Sequence, residues 1–157
     1  MRLLTVEHVP PARRRSAAIW YPAVMLSLSG ESLKRTGLEF DVTRDDLGEL
    51  SYAYVEVEGI PVMLTRREAE QPHTYTLMID ARSVAERLPY GAAGFARGVL
   101  SSLHITPPEV IWKNDELDAL FPANLKKRLP FEQVDIDQIE PVPWDTREQL
   151  FTTLKTR

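Results

Sequence analysis

Between Leu50 and Asp80 the chain alternates apolar and polar residues with a period of two, and no other stretch constrains the fold as strongly. Tyr52-Ala53-Tyr54-Val55-Glu56-Val57-Glu58 puts Ala53, Val55 and Val57 on one side of an extended strand. Tyr52, Tyr54, Glu56 and Glu58 fall on the other, because successive side chains of a strand point to opposite faces. Gly59 supplies a turn. Ile60, Val62 and Leu64 then alternate with Pro61, Met63 and Thr65 to give a second strand. Arg66 to Glu70 reads as a charged tip and Gln71-Pro72-His73 as punctuation. Thr74 to Ile79 reads as a third strand, rich in β-branched and aromatic residues. Strands joined this tightly run antiparallel, since parallel neighbours need a crossover of about a dozen residues or more. The expectation is an antiparallel β-meander over about residues 50–80.

Around that block the elements are shorter. Leu3 to Val9 reads as an edge strand stopped by Pro10-Pro11, which cannot donate ladder hydrogen bonds. Val24, Leu26 and Leu28 alternate with Met25, Ser27 and Ser29 and predict another strand, with Pro22 just upstream. Gly30-Glu31-Ser32 reads as a turn, and Ser32 to Thr36 as a single helical turn stopped by Gly37. Ala81 to Leu88 predicts one or two helical turns ended by Pro89. Gly91 to His104 is the strongest helix, with Ala92, Ala96, Val99, Leu100 and Leu103 in one apolar stripe. Gly94 and Gly98 lie four apart within it and suit close approach to a sheet. After Thr106-Pro107-Pro108, Glu109 to Lys113 reads as a short buried strand, and Asn114 or Asp115 as the cap of a short helix through Phe121. Pro130, Pro141 and Pro143 break up residues 122–157, an irregular C-terminal arm in which Thr146 to Leu154 is the one candidate helix. A chain of 157 residues suits one domain. The fold class expected is α+β: a meander with the 91–104 helix on one face and a further strand at 109–113.

Composition removes much chemistry. The absence of cysteine excludes disulfides, thiolate zinc sites, thiol nucleophiles and iron–sulfur clusters. His8, His73 and His104 show neither H-x-x-x-H nor H-E-x-x-H spacing, so no metal and no cofactor is expected. Gly91, Gly94 and Gly98 match neither G-x-G-x-x-G nor a P-loop, although a helix start with Arg97 nearby is an alternative anion site. Glu56 and Glu58, about 7 Å apart on one strand face, resemble a catalytic carboxylate pair in spacing, but a solvated antiparallel face explains them more simply. No G-x-S-x-G elbow is present. The opening Met1 to Val6 run is broken by Glu7 and His8, too early for a signal peptide, and no stretch reaches the ~20 apolar residues of a membrane span. The expected compartment is the cytoplasm.

The net charge of −4 is unevenly distributed. Residues 1–40 carry six basic and three acidic groups, residues 41–80 three and nine, residues 81–128 seven and five, and residues 129–157 three and six. The basic runs Arg13-Arg14-Arg15 and Lys126-Lys127-Arg128 are too short to favour nucleic-acid binding, which needs many phosphate contacts. Two features point to protein recognition. One is the row Tyr52, Tyr54, Glu56 and Glu58, aromatic then acidic, unless a second layer such as the N-terminal segment covers the rings. The other is the acidic stretch with Asp135, Asp137 and Glu140, followed by Trp144. The leading expectation is a non-enzymatic binding protein, most concretely a small acidic inhibitor of immunity-protein or antitoxin type that neutralises a basic toxin or enzyme. The alternatives are a small enzyme or ligand-binding domain using the 91–104 helix start, and a structural subunit of a larger assembly.

Overall fold

A computed structural model describes residues 3–14, 19–68, 71–80, 83–84 and 91–117. The elements in chain order are β1 (Val6–His8), β2 (Trp20–Ser27), α1 (Gly30–Thr36), β3 (Asp41–Asp45), β4 (Gly48–Val57), β5 (Ile60–Arg67), β6 (Thr74–Asp80), α2 (Gly91–Ser102) and β7 (Val110–Lys113). The expected turns over Ala81 to Leu88 fall largely outside the described residues. So do the end of the helix expected to reach Phe121 and the whole 122–157 arm.

All seven strands form one antiparallel sheet in the order β1–β4–β5–β6–β2–β7, with β3 also paired to β4. The meander is β4–β5–β6: Val55 lies opposite Val62, and Val62 opposite Ile79. The Glu58-Gly59 connection has φ of 51° and 77°. A two-residue loop with both residues left-handed matches the right-handed twist of the strands it joins. Several boundaries differ from the sequence reading, among them β1, which spans only Val6–His8, and β2, which starts at Trp20 and so contains Pro22. β5 runs on through Arg66 and Arg67, which pair with Ser51 and Leu50 rather than forming a loose tip. α1 begins at Gly30, because the Ser29 Oγ accepts the Ser32 N–H at 3.1 Å and caps the helix there. Gly37 closes it at φ 69°.

Pro22 lies inside β2, between two neighbouring strands, where its missing N–H would normally break a ladder. The ladder is already interrupted there by a register shift between Pro22 and Val24, and β7 pairs only from Val24 onward. Asn114 continues the edge instead, donating its side-chain amide to the Pro22 carbonyl at 3.0 Å and its backbone N–H to the Ala23 carbonyl at 2.8 Å.

The core lies between one sheet face and the helices. Val24, Leu26, Leu28, Val55, Val57, Val62, Leu64, Leu77 and Ile79 form a single buried cluster with Ala92, Phe95, Ala96, Val99 and Leu100 of α2. Full burial of each larger side chain contributes roughly 1.5–3 kcal/mol. Gly94 and Gly98 are both buried in α2. The helix ends with His104 left-handed at φ 59°. There the His104 N–H donates to the Ser101 carbonyl at 3.1 Å and the Ile105 N–H to the Leu100 carbonyl at 3.0 Å, which satisfies carbonyls the helix leaves open.

Candidate functional site

β4 is the longest strand among the described residues, and two short strands share one of its edges. β3 pairs with its first half, Asp41 opposite Tyr52 and Asp45 opposite Gly48. β1 pairs with its end, Val6 opposite Val57 and His8 opposite Val55. Tyr54 sits at the break between them. A partly open cleft of about 330 Å³ occupies that break, lined by His8, Val9, Pro10, Pro11, Arg14, Glu39, Asp41 and Tyr54. Its volume is at the lower end of the range that holds small ligands.

Arg14 organises this region. Its Nε donates to the Val9 carbonyl at 3.0 Å and its Nη2 to Asp41 Oδ2 at 3.1 Å. Its guanidinium lies over the Tyr52 ring at 5.8 Å and the Tyr54 ring at 5.5 Å, distances at which a cation is attracted by the ring face. Trp20 meets Tyr54 edge-on, with ring centroids 6.1 Å apart. Tyr54 is consequently only 6% exposed. Its hydroxyl donates to Glu56 Oε2 at 3.2 Å. Tyr54 is therefore covered while Tyr52 stays half-buried, and Arg14 of the N-terminal segment supplies the cation over both rings.

Glu58 departs from the row. β4 ends at Val57, and Glu58 lies in the turn, where its Oε1 accepts the Thr5 N–H at 3.2 Å and its own N–H donates to the Thr5 carbonyl at 3.0 Å. The alternation of residues 52–58 placed it beside Glu56, but a left-handed turn residue leaves the pleat, so the two carboxylates do not form a strand-face pair. Arg97 lies in the second turn of α2 and is half-buried, and most of the segment preceding Gly91 is outside the described residues. Asp135, Asp137, Glu140 and Trp144 are likewise outside them. Among the described residues no three His, Asp or Glu side chains converge to hold a metal ion.

The β3–β4 hairpin goes beyond what the residue pattern predicts. Asp41 to Asp45 has no apolar alternation, and all five residues are exposed, including Val42 at 61%. The available signal was turn chemistry, Asp45-Asp46-Leu47-Gly48, with Gly48 at φ 105°. Asp45 is tied across the hairpin by a two-pronged ion pair, both distances 2.9 Å, to Arg67. The Asp45 carboxyl is held below its ordinary value chiefly by the Arg67 hydrogen bonds, with help from the Leu47 N–H. Arg44 reaches Glu68 at 3.8 Å. Residues 39–49 hold five acids, Glu39, Asp41, Asp45, Asp46 and Glu49, against the single base Arg44. Glu39, Asp46 and Glu49 make no ion pair among the described residues. No described strand pairs with the outer side of β3. Comparison with known protein families, with curated proteins and with solved structures found no match to this chain.

Proposed function

We propose that this chain is a non-enzymatic protein-binding domain that takes a basic partner along the β3–β4 hairpin. The observation that carries the reading is surplus negative charge on an open edge. Glu39 and Asp46 are exposed and left over after Asp41 and Asp45 have been matched by Arg14 and Arg67, half-buried Glu49 adds a third carboxylate opposite Arg44 on β4, and β3 is exposed throughout. Charge of one sign on a protruding edge speeds encounter with an oppositely charged partner and fixes its orientation. In its most concrete form this is a small inhibitor of immunity-protein or antitoxin type, neutralising a basic toxin or enzyme.

The test is affinity isolation from the native cells at low ionic strength. The wild-type chain is expected to retain a stoichiometric basic protein, in a complex that weakens as salt is raised. The triple variant Glu39→Gln, Asp46→Asn, Glu49→Gln is expected to lose it. A partner retained equally by the variant would remove the hairpin from the reading, and the absence of any stoichiometric partner would remove the reading itself.

A further inference from the structure

We infer that β3 binds its partner by strand addition, accepting an extended lysine- or arginine-bearing segment as an eighth strand of the sheet; this rests on the proposed binding of a basic protein. In an antiparallel pair, residues alternate between those that exchange hydrogen bonds with the neighbour and those whose N–H and C=O point away. Asp45 and Gly48 close the two-residue Asp46-Leu47 loop, so Asp45, Thr43 and Asp41 bond inward to β4. Val42 and Arg44 then direct their backbone groups outward. The far side of β4 agrees: the Glu49 carbonyl, opposite Arg44, accepts the Glu68 N–H at 3.1 Å on the β5 side and so faces away from β3.

Val42 and Arg44 thus present two donors and two acceptors, spaced about 7 Å apart along the edge, and among the described residues nothing hydrogen-bonds to them. Natural sheets commonly blunt such edges with charge, proline, a bulge or a covering loop, and β3 carries the charge. β3 has no proline, pairs with β4 in unbroken register and is exposed over its whole length, with Val42 at 61%. Its charge selects the occupant. A second copy of the same edge would set Asp41, Asp45 and Asp46 against their own kind, so self-pairing is disfavoured. An extended segment that alternates basic with apolar residues instead places its cations on the face of Asp41 and Asp45, between Glu39 and Asp46 in the chain, and its apolar side chains beside Val42. Main-chain hydrogen bonds give such a complex its affinity, and the alternate side chains give its specificity.

The test uses the full-length chain and a synthetic eight-residue peptide alternating lysine and valine, with the same peptide carrying glutamate for lysine as control. Binding is followed by titration, and amide hydrogen exchange is read at each residue of β3. The expected result is binding of the lysine peptide alone, with exchange at Val42 and Arg44 slowed more than tenfold and exchange at Thr43 unchanged. Val42→Pro and Arg44→Pro, which remove outward N–H groups but leave the β3–β4 ladder intact, are each expected to weaken binding roughly fivefold. Binding that depends on Glu39, Asp46 and Glu49 but leaves Val42 and Arg44 unprotected overturns strand addition while sparing the charge-based reading. Failure of the lysine peptide to bind at low salt overturns both.

Discussion

Arg14 shows how one side chain can decide whether a surface is covered. Its stem and guanidinium join the Val9 carbonyl, Asp41 and two tyrosine rings, and it is 20% exposed. Replacing it with Met is expected to destabilise the fold by about 1–2 kcal/mol, combining the loss of the ring contacts with that of a partly screened ion pair. Arg14→Lys is expected to recover less than half, because an ammonium lacks the planar fork that serves Val9 and Asp41 together. Chemical denaturation measures both; full recovery by lysine would mean that charge alone matters. His104 makes the opposite case. It is exposed and occupies a left-handed helix end at φ 59°, a conformation that strains any side chain with a Cβ. His104→Gly is expected to raise stability by about 0.5–1 kcal/mol, the strain relieved exceeding the added freedom of the unfolded chain. A lower melting temperature in that variant would show that the imidazole makes a contribution larger than the strain.

At the scale of elements, legibility followed burial. β4, β5 and β6 were readable because one of their faces packs on the core and imposes a period of two. β7 and α2 were readable for the same reason, and α2 ended at Ser102 rather than His104 because the left-handed residue closes it early. β3 was not readable: neither of its faces is buried, so no pattern was imposed on Asp41 to Asp45. It is held by the β4 ladder, the Arg67–Asp45 pair and the Gly48 turn. A Cβ at Gly48 would fall 2.7 Å from Glu68 Oε1 at a φ of 105°, so Gly48→Ala meets both strain and a neighbour that must move. It is expected to cost about 1–2 kcal/mol and to raise amide exchange selectively in β3. An unchanged exchange pattern would show that the ladder holds the hairpin without the turn.

Across the whole molecule, acid is expected to weaken the fold through a small set of carboxylates. Asp45 is made more acidic chiefly by Arg67. For Glu109, partial burial works to raise the pKa, but hydrogen bonds from Ser32 and from the Thr106 N–H and hydroxyl, together with Arg35 at 2.8 Å, outweigh it and hold the carboxyl below its ordinary value. Both groups are more acidic folded than unfolded. Their stabilisation is therefore present above the ordinary carboxylate values of 3.8 and 4.5 and is lost as pH falls through the lower folded values. Stability from denaturation curves is expected to be level between about pH 7 and 5 and to fall below about pH 4.5. Glu109→Gln should flatten part of that fall, since Glu109 links α1 to the turn before β7; an identical acid slope in the variant would assign the loss to other groups.

The residues alone specify the α+β class, the meander and the helix that covers it, because periodic burial leaves its period in them. They also locate the negative charge and exclude every chemistry that needs cysteine. How those residues are placed depends on tertiary contacts. Tyr52 and Tyr54, identical in sequence pattern to an exposed docking row, are covered by a cation from residue 14, far away in the chain. Glu58 turned away from Glu56 because a left-handed loop residue ended the pleat. The acidic 39–49 segment borders an open strand edge because β1 takes the far end of that side of β4 and no described strand pairs with the outer side of β3; the β3–β4 hairpin is local, but the pairing of Val6 with Val57 is long-range and no local pattern encodes it.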